Sequence, residues 1–258
     1  MIASATATEY AGARVGQMLY LYGFVLPDAR LPGALTGVHD EPVRTVSLGD
    51  VTALVSEVAD AEVVGLPAEV RAHAAVLDAV AKACSVLPVQ FGTIAAGLDD
   101  LGSAFPADRR HASADLLRGL ADVVQLSLTA RYNEEAIIAE LVDEDPQIRG
   151  LRELTRSAPE AGTYGTRVRL GELVVNGFDR KRRNDAQLLE DELRPLAVDL
   201  RFREVTQVDA VLEVALLVRR DSVARFEEAL EELAARLAGR IGLRLVGPQA
   251  PYDFVEEV

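Results

Sequence analysis

The chain has 258 residues, 49% of them hydrophobic, which is enough for one large or two small domains and excludes a disordered protein. Acidic residues outnumber basic ones by 41 to 27, and the net charge of −14 argues against binding to nucleic acids or anionic membranes. Because aromatic residues amount to only 5%, we expect a core built from Leu, Val and Ala.

The cellular compartment follows from three features of the sequence. The single cysteine, Cys84, cannot form an internal disulfide, which fits a reducing environment. Segment 1–16 has no basic region followed by an apolar one, so we expect no secretory signal. The apolar stretches are shorter than the ~20 residues of a membrane span. These features predict a cytoplasmic protein in which residues 1–17 form a flexible tail.

The first part of the chain, residues 18–120, has the pattern of a small α+β domain. Short segments rich in β-branched and aromatic residues alternate with turn signals, as is typical of strands. The pair Gly49-Asp50, although not in the favoured Asp-Gly order, predicts a hairpin turn between two of them. Pro67 suits the first turn of a helix, where its missing N–H costs nothing. We predict a small sheet with one face covered by the helix from Pro67. The strands lie at 18–25, 43–48, 51–58 and 86–94, and two short helices follow at 98–105 and 108–120.

Two residues on the predicted helix after Pro67 invite a chemical interpretation. At helical spacing, one apolar face of this helix consists of Val70, His73, Ala74, Leu77, Ala81 and Cys84. His73 could be a ligand or a proton-transfer group, but no second metal-binding residue is near it, so a buried core histidine is favoured. Cys84 lies near the helix C-terminus and lacks the cationic or N-terminal setting of a reactive thiol, which favours core packing.

The second part, residues 121–258, has the order β-α-(helical insertion)-β-β-α-β, which is typical of a ferredoxin-like domain. Asn133 can cap the first helix of this part. The insertion, about 143–197, is charged and has thin apolar stripes. We therefore expect two helical arms that pack on each other or project as a hairpin. The remaining elements are strands at 121–131, 198–205, 208–219 and 243–246, with a helix that begins after Asp221 or Ser222.

The usual signatures of catalysis and metal binding are absent from the sequence. None of the three histidines forms an i, i+4 pair, and there is no Gly-rich phosphate loop or nucleophile elbow. The paired acidic residues are adjacent in sequence, so their side chains diverge by about 100° on a helix. We predict a protein that is not an enzyme and has no catalytic, cofactor-binding or metal site. The histidines are His39, His73 and His111.

Two segments are candidate partner-binding sites. The first is the basic cluster Arg180, Lys181, Arg182 and Arg183. A single aromatic residue lies near it and acidic residues follow it, so this pattern favours a charge-paired helix or contact with an acidic protein over nucleic-acid binding.

The second candidate is the C-terminal segment from Gly247, in which two prolines predict an extended course. In an extended chain Tyr252 and Phe254 point to the same side. Two aromatic side chains at this place require a hydrophobic site. Either the segment folds back over its own domain, or these rings insert into a partner.

Four segments together resemble one family, the gas vesicle accessory proteins of the GvpL/GvpF type. The resemblance covers the chain from about residue 19 to residue 255, in the same order. The sequence departs from the family at Gln90, where Arg is common, and at Gln249-Ala250, which replaces a Trp-Pro pair. The matching segments are 19–25 with Tyr-x-Tyr-Gly, His73 with Val76-Leu77, 86–93 with Leu-Pro-x-x-Phe-Gly-Thr, and Gly247-Pro248 with Ala250-Pro251-Tyr252-x-Phe254.

The resemblance implies a two-domain α+β protein that is required to build gas vesicles. Such proteins are expected to bind the small hydrophobic shell protein and other accessory proteins, in the cytoplasm or on the vesicle, without a cofactor. The competing interpretation is a ligand-sensing regulatory protein with ferredoxin-like domains. A buried polar pocket between the domains, near His73, would favour it, and a dry leucine-valine interface would count against it. An enzyme is the third choice, because it requires a pocket with convergent titratable groups.

Overall fold

The computed structural model describes residues 18–59, 65–157 and 164–255, so the predicted tail at 1–17 lies outside the described residues. It shows an α+β protein with two antiparallel sheets and several helices, which confirms the predicted α+β class. The chain forms two compact units. The first contains the described residues up to Leu126, together with Leu217–Asp221 and the residues from Val246 onward, and the second contains the rest.

The sheet of the first unit has the strand order β2-β3-β1-β4, and β5 also pairs with β1. The predicted hairpin between β2 and β3 is confirmed: Ser47 pairs with Thr52 across a turn in which Gly49 has a φ of 89°. The five strands are β1 (Met18–Val25), β2 (Arg44–Ser47), β3 (Thr52–Val58), β4 (Leu87–Pro88) and β5 (Ile94–Ala95).

The prediction of one continuous strand at 86–94 is wrong. Two strands of two residues each pair with β1, and a turn separates them. In this turn the Gln90 carbonyl accepts hydrogen bonds from the Thr93 backbone N–H at 3.2 Å and the Thr93 hydroxyl at 2.7 Å. Gly92 lies at a φ of 88°, which is unfavourable for other residues and ends the extended course.

Both faces of the first sheet are covered, whereas the sequence predicted cover on one face. Residues of β1 alternate between two cores: Leu19 and Leu21 pack on one side, and Tyr20 and Tyr22 on the other. A register shift between Leu21 and Gly23 changes the alternation beyond it. The covering helices are α1 (Pro67–Ala83) on the tyrosine side, and α2 (Leu98–Ala104) and α3 (Ala107–Gly119) on the leucine side.

The apolar face predicted for α1 is only partly correct. His73, Leu77 and Ala81 are buried as expected. Val70 is exposed, so its place on the buried face was wrong. It lies in the first turn of α1, and Val76 and Val80 contribute to the core instead.

The second sheet has the strand order β7-β8-β6-β9, and the element order along the chain is the one predicted. Asn133 caps α4 as predicted, accepting hydrogen bonds from two backbone N–H groups at 3.1 and 3.2 Å. The elements are β6 (Val123–Tyr132), α4 (Glu134–Glu144), α5 (Pro146–Ser157), α6 (Tyr164–Leu193), β7 (Asp199–Phe202), β8 (Ala210–Arg219), α7 (Val223–Arg236) and β9 (Ile241–Gln249).

The end of the chain differs from its prediction. Strand β9 is longer than the predicted 243–246 and includes Gly247-Pro248. After it the backbone turns twice, because the Tyr252 N–H donates to the Ala250 carbonyl and the Phe254 N–H donates to the Pro251 carbonyl. The expected extended course of Tyr252 and Phe254 is therefore wrong, and with it the argument that both rings point to one side.

Candidate functional site

Three of the segments that resemble the GvpL/GvpF family meet in one buried polar cluster in the first unit. The Tyr20 hydroxyl lies 2.8 Å from His73 Nδ1, and the Gly92 backbone N–H donates to the Tyr20 oxygen at 3.2 Å. The Tyr22 hydroxyl donates to Ser56 Oγ at 2.9 Å and accepts from the Val38 N–H at 2.8 Å. The cluster thus joins strands, a loop and α1.

Aromatic rings surround the His73 imidazole. Its ring stacks on Tyr22 at a centroid distance of 5.6 Å and meets the edges of Tyr20 and Phe91 at 5.7 and 5.6 Å. The side chain is only 3% exposed, which confirms the prediction of a core histidine.

Burial controls the protonation of this cluster. It lowers the pKa of His73 to about 4 and raises the pKa of Tyr20 to about 12, because charged forms lose hydration inside the protein. His73 is therefore neutral at pH 7, and we assign the Tyr20 hydroxyl as the donor to its Nδ1. In this state the imidazole accepts a hydrogen bond from Tyr20 and so links β1 to α1.

A second site in the first unit surrounds Cys84, where Arg220 binds the end of α1. The guanidinium of Arg220 donates to the carbonyls of Ala81 at 2.7 Å, Cys84 at 2.9 Å and Ala121 at 3.0 Å. A cation at a helix C-terminus satisfies carbonyls that lack helical partners. The expected lack of a cationic neighbour is wrong, because Arg220 lies beside Cys84. Burial nevertheless raises the pKa of the Cys84 thiol, so it stays protonated, in agreement with the packing role predicted for it.

The closing segment folds back on the first unit. Ala250 is fully buried and its N–H donates to Asp78 at 3.3 Å. Gln125 and Asp253 form two hydrogen bonds, from the Gln125 amide to the Asp253 carboxylate at 2.6 Å and from the Asp253 N–H to the Gln125 oxygen at 3.1 Å. Of the two candidate aromatic residues, Tyr252 is exposed and Phe254 is partly buried.

The four residues of the candidate basic cluster lie on α6 in the second unit, where two of them are paired and two are exposed. Lys181 forms ion pairs with Glu140 at 2.9 Å and Glu144 at 2.8 Å, which link α6 to α4. Arg182 lies over the Phe178 ring and donates to a backbone carbonyl at 2.7 Å. The other two members, Arg180 and Arg183, are exposed.

A charge network that was not predicted from the sequence fixes the C-terminal half of α6, which we call its basal half. The Tyr132 hydroxyl donates to Asp185 at 2.5 Å, and Arg240 donates to both oxygens of Asp185 at 2.9 and 2.7 Å. Arg240 also donates to Glu140 at 2.6 Å. The adjacent carboxylates raise the pKa of Arg240, and burial raises that of Tyr132. The hydrogen-bonded pairs of this network are 53 to 100 positions apart in the chain, which local patterns do not reveal.

The other half of α6 presents apolar side chains to solvent. Tyr164, Val168 and Val175 are 79%, 45% and 59% exposed, and a side chain added at Gly171 would point into open space. The spacings of four, three and four residues place these four positions on one line along the helix, which we call the distal seam. No residue from 164 to 176 is buried, and Leu154 near the end of α5 is exposed as well.

The same line continues along the basal half of α6, where it is covered. Phe178 is buried against the Tyr132 ring, with an edge-to-face centroid distance of 5.2 Å. Asp185 joins the charge network, and Leu189 is fully buried. This line of positions is thus packed on the second sheet in the basal half of α6 and exposed in the distal half.

Among the described residues, no group of three or more His, Cys, Asp or Glu side chains is arranged to hold a metal ion. The described helices include none that is long and apolar enough to cross a membrane.

The chain is similar to known gas vesicle proteins. The family model for gas vesicle synthesis protein GvpL/GvpF matches residues 18–256. Gas vesicle protein F of Streptomyces sp. (strain CB03234) is 31% identical over 92% of this chain and 99% of its own length. Gas vesicle protein L2 of Halobacterium salinarum is 24% identical over 98% of this chain and 96% of its own.

Two solved structures have the same fold. The crystal structure of the gas vesicle protein GvpF from Anabaena sp. PCC7120 has a TM-score of 0.78 at 20% identity and covers 93% of this chain and 98% of that one. GvpF from Microcystis aeruginosa has a TM-score of 0.73 at 19% identity and covers 93% and 99%. At these identities the similarity concerns the fold.

Proposed function

The chain belongs to the gas vesicle synthesis protein GvpL/GvpF family, and from this membership we propose a non-enzymatic assembly or minor structural protein of gas vesicles. In this proposal it binds the hydrophobic shell protein and other accessory proteins. A shell subunit that is apolar on its gas face is prone to aggregate before assembly, as exposed apolar patches generally are. A companion protein that covers such a patch would keep the subunit available.

The distal seam is the observation that supports binding. A helix of a single protein normally buries its apolar line, and the basal half of α6 does so. The distal half leaves Tyr164, Val168 and Val175 in solvent, where they lose the free energy of apolar burial. A partner with an apolar stripe would recover that free energy. The shell protein, whose gas face is apolar, fits this requirement.

Several other surfaces support the proposal less directly. We propose that the second unit is a ferredoxin-like domain, because its element order and its strand order β7-β8-β6-β9 agree with that fold. Its edge strands β7 and β9, and β2 in the first sheet, offer backbone groups for pairing with a partner strand. The remaining candidates are Arg180, Lys181, Arg182 and Arg183, and Tyr252 and Phe254.

The test is capture of purified shell protein by the full chain. Val168→Asp places a charge in the distal seam, and we expect it to weaken capture about tenfold or more, because a charge is costly at an apolar interface. Val208→Asp is the matched control, since Val208 is also exposed but lies outside α6. Equal effects of the two substitutions, or no capture by the unmodified chain, would contradict the proposal.

A gene deletion tests the same function in the cell. We expect a strain without this chain to form few or no gas vesicles, and the unmodified gene to restore them. Normal vesicles in the deletion strain would show that assembly does not depend on this protein.

A further inference from the structure

A groove at the base of α6 differs from the distal seam in shape and charge. It lies between the end of α6 and α7 and has a volume of about 460 Å³. Its floor is apolar, and Glu192 and Glu232 stand at its rim, where Glu192 forms an ion pair with Arg236 at 2.9 Å. We call it the basal groove. Its apolar lining consists of Leu193, Leu196, Ala229, Leu230, Leu233 and Ala235.

The seam and the groove have opposite charge surroundings. The described residues of the distal arm, 146–157 and 164–176, contain five arginines and two glutamates. The last part of α6 from 184 to 193, together with α7, contains eight acidic residues and two arginines. Opposite charges around two apolar surfaces favour their association and fix its orientation. Pairing of two distal seams would instead bring two basic arms together.

The groove cannot receive the seam of its own chain. Both lie on one continuous helix of 30 residues, and Val168 is 24 positions from Glu192. At 1.5 Å per residue this separation is about 36 Å, and the helix between them is unbroken. An occupant with the chemistry of the distal seam therefore has to come from another molecule.

We propose that copies of this chain associate head to tail, with the distal seam of one copy in the basal groove of the next. Tyr164 and Val168 lie on the apolar floor, and the arginines of the arm face the acidic rim. Such a contact joins two different surfaces, so it leaves a free seam and a free groove at the two ends. Repetition gives either a closed ring or an open chain of copies.

This inference goes beyond the proposed function, although both use the distal seam. Self-association would cover the seam until a partner displaces the groove of the neighbouring copy. Substitutions in the groove therefore separate the two proposals, because they affect contact between copies and leave the seam available to the shell protein.

Sedimentation velocity over a concentration series tests the contact with the full chain. We expect the average mass to rise with protein concentration and the association to weaken at high salt, because salt screens the charges. Val168→Asp in the seam and Glu232→Lys in the groove should each weaken self-association about tenfold or more. Glu228→Lys is the matched control: it makes the same charge change on α7 outside the groove lining, and should weaken self-association far less than Glu232→Lys does.

Mixing the two variants gives the decisive experiment. The Val168→Asp chain keeps an intact groove, and the Glu232→Lys chain keeps an intact seam. Each alone should remain monomeric, and an equal mixture should form a dimer that does not grow further. Formation of this dimer also shows that both variants are folded. A monomeric unmodified chain at every concentration, self-association that survives both substitutions, or a mixture that stays monomeric would overturn the proposal.

The partner assay distinguishes the remaining outcomes. Glu232→Lys should still capture shell protein as well as the unmodified chain does. Loss of capture by this variant would mean that the groove receives a different protein, and would overturn the assignment of its occupant to a second copy. Self-association without any capture of shell protein would contradict only the proposed function.

Discussion

The cluster around His73 and the distal arm of α6 differ in how their aromatic and charged residues are used. In the cluster, Tyr20 and Tyr22 are fully buried and their hydroxyls are hydrogen-bonded. In the arm, Tyr164 is exposed, and the helix has no buried residue over its first 13 positions. The residues by which the chain resembles its family therefore stabilise the fold, whereas the surface that we propose for partners lies outside those motifs.

The largest expected difference is between two identical substitutions. Tyr20→Ala removes a fully buried ring and should lower the free energy of unfolding by about 3–5 kcal/mol. Tyr164→Ala removes a ring that is 79% exposed and should change it by no more than about 0.5 kcal/mol. Urea denaturation of the two variants measures the difference. Similar losses would show that the arm is as important for stability as the cluster.

The pH dependence of stability tests the cluster separately. The pKa of His73 falls from 6.5 to about 4 on folding, so the unfolded chain binds a proton that the folded chain does not bind in this window. The stability that depends on neutral His73 should be fully present above about pH 6.5, fall as the pH is lowered, and be lost below about pH 4. The contribution of His73 is on the order of 3 kcal/mol.

The variant His73→Phe isolates this contribution, because it keeps a ring and removes the titrating group. Denaturation midpoints between pH 7 and pH 4 should decline less steeply in the variant than in the unmodified chain. An unchanged slope would show that other groups cause the acid sensitivity.

The charge network at the base of α6 should have an intermediate effect. Arg240→Ala leaves Asp185 and Glu140 without their guanidinium partner in a half-buried site, at an expected cost of about 1–2 kcal/mol. Arg180→Ala is the matched control, because Arg180 is exposed on the same helix as Asp185. Thermal denaturation measures the loss of stability in both variants. Equal losses would show that the charge network stabilises the protein no more than an exposed arginine does.

The smallest expected effect on stability is that of Val168→Asp. The side chain is 45% exposed, so its replacement should change the free energy of unfolding by no more than about 0.5 kcal/mol. The same variant should show the large loss of shell-protein capture described above. A loss of stability comparable to that of Tyr20→Ala would mean that the distal seam packs within the chain.

The family, the fold class and most elements could be predicted because they depend on short-range patterns. The hairpin at Gly49, the capping of α4 by Asn133 and the burial of His73 are confirmed. The prediction of a continuous strand at 86–94 was wrong. The segment is rich in β-forming residues, but the positive φ of Gly92 turns the backbone. The partner-binding roles of the basic cluster and the closing aromatic residues stay predictions.

The partners of the candidate site residues could be predicted less well from the sequence. Four adjacent basic residues form one pattern, but the structure places Lys181 in ion pairs with α4 and leaves Arg180 exposed. Arg220 and Arg240 were missed, because their partners lie 99 or more positions away along the chain for Arg220 and 55 or 100 for Arg240. The predicted domain boundary near residue 120 stays a prediction as well.

The sequence by itself determined the period of each element and its caps, because residues within four positions decide helix and strand formation. It also determined the line of apolar positions along α6. Only the tertiary structure decided which half of that line is covered, since cover depends on strands and helices brought from distant parts of the chain. The distal seam is therefore visible as a helix pattern in the sequence, but as an uncovered surface only in the folded protein.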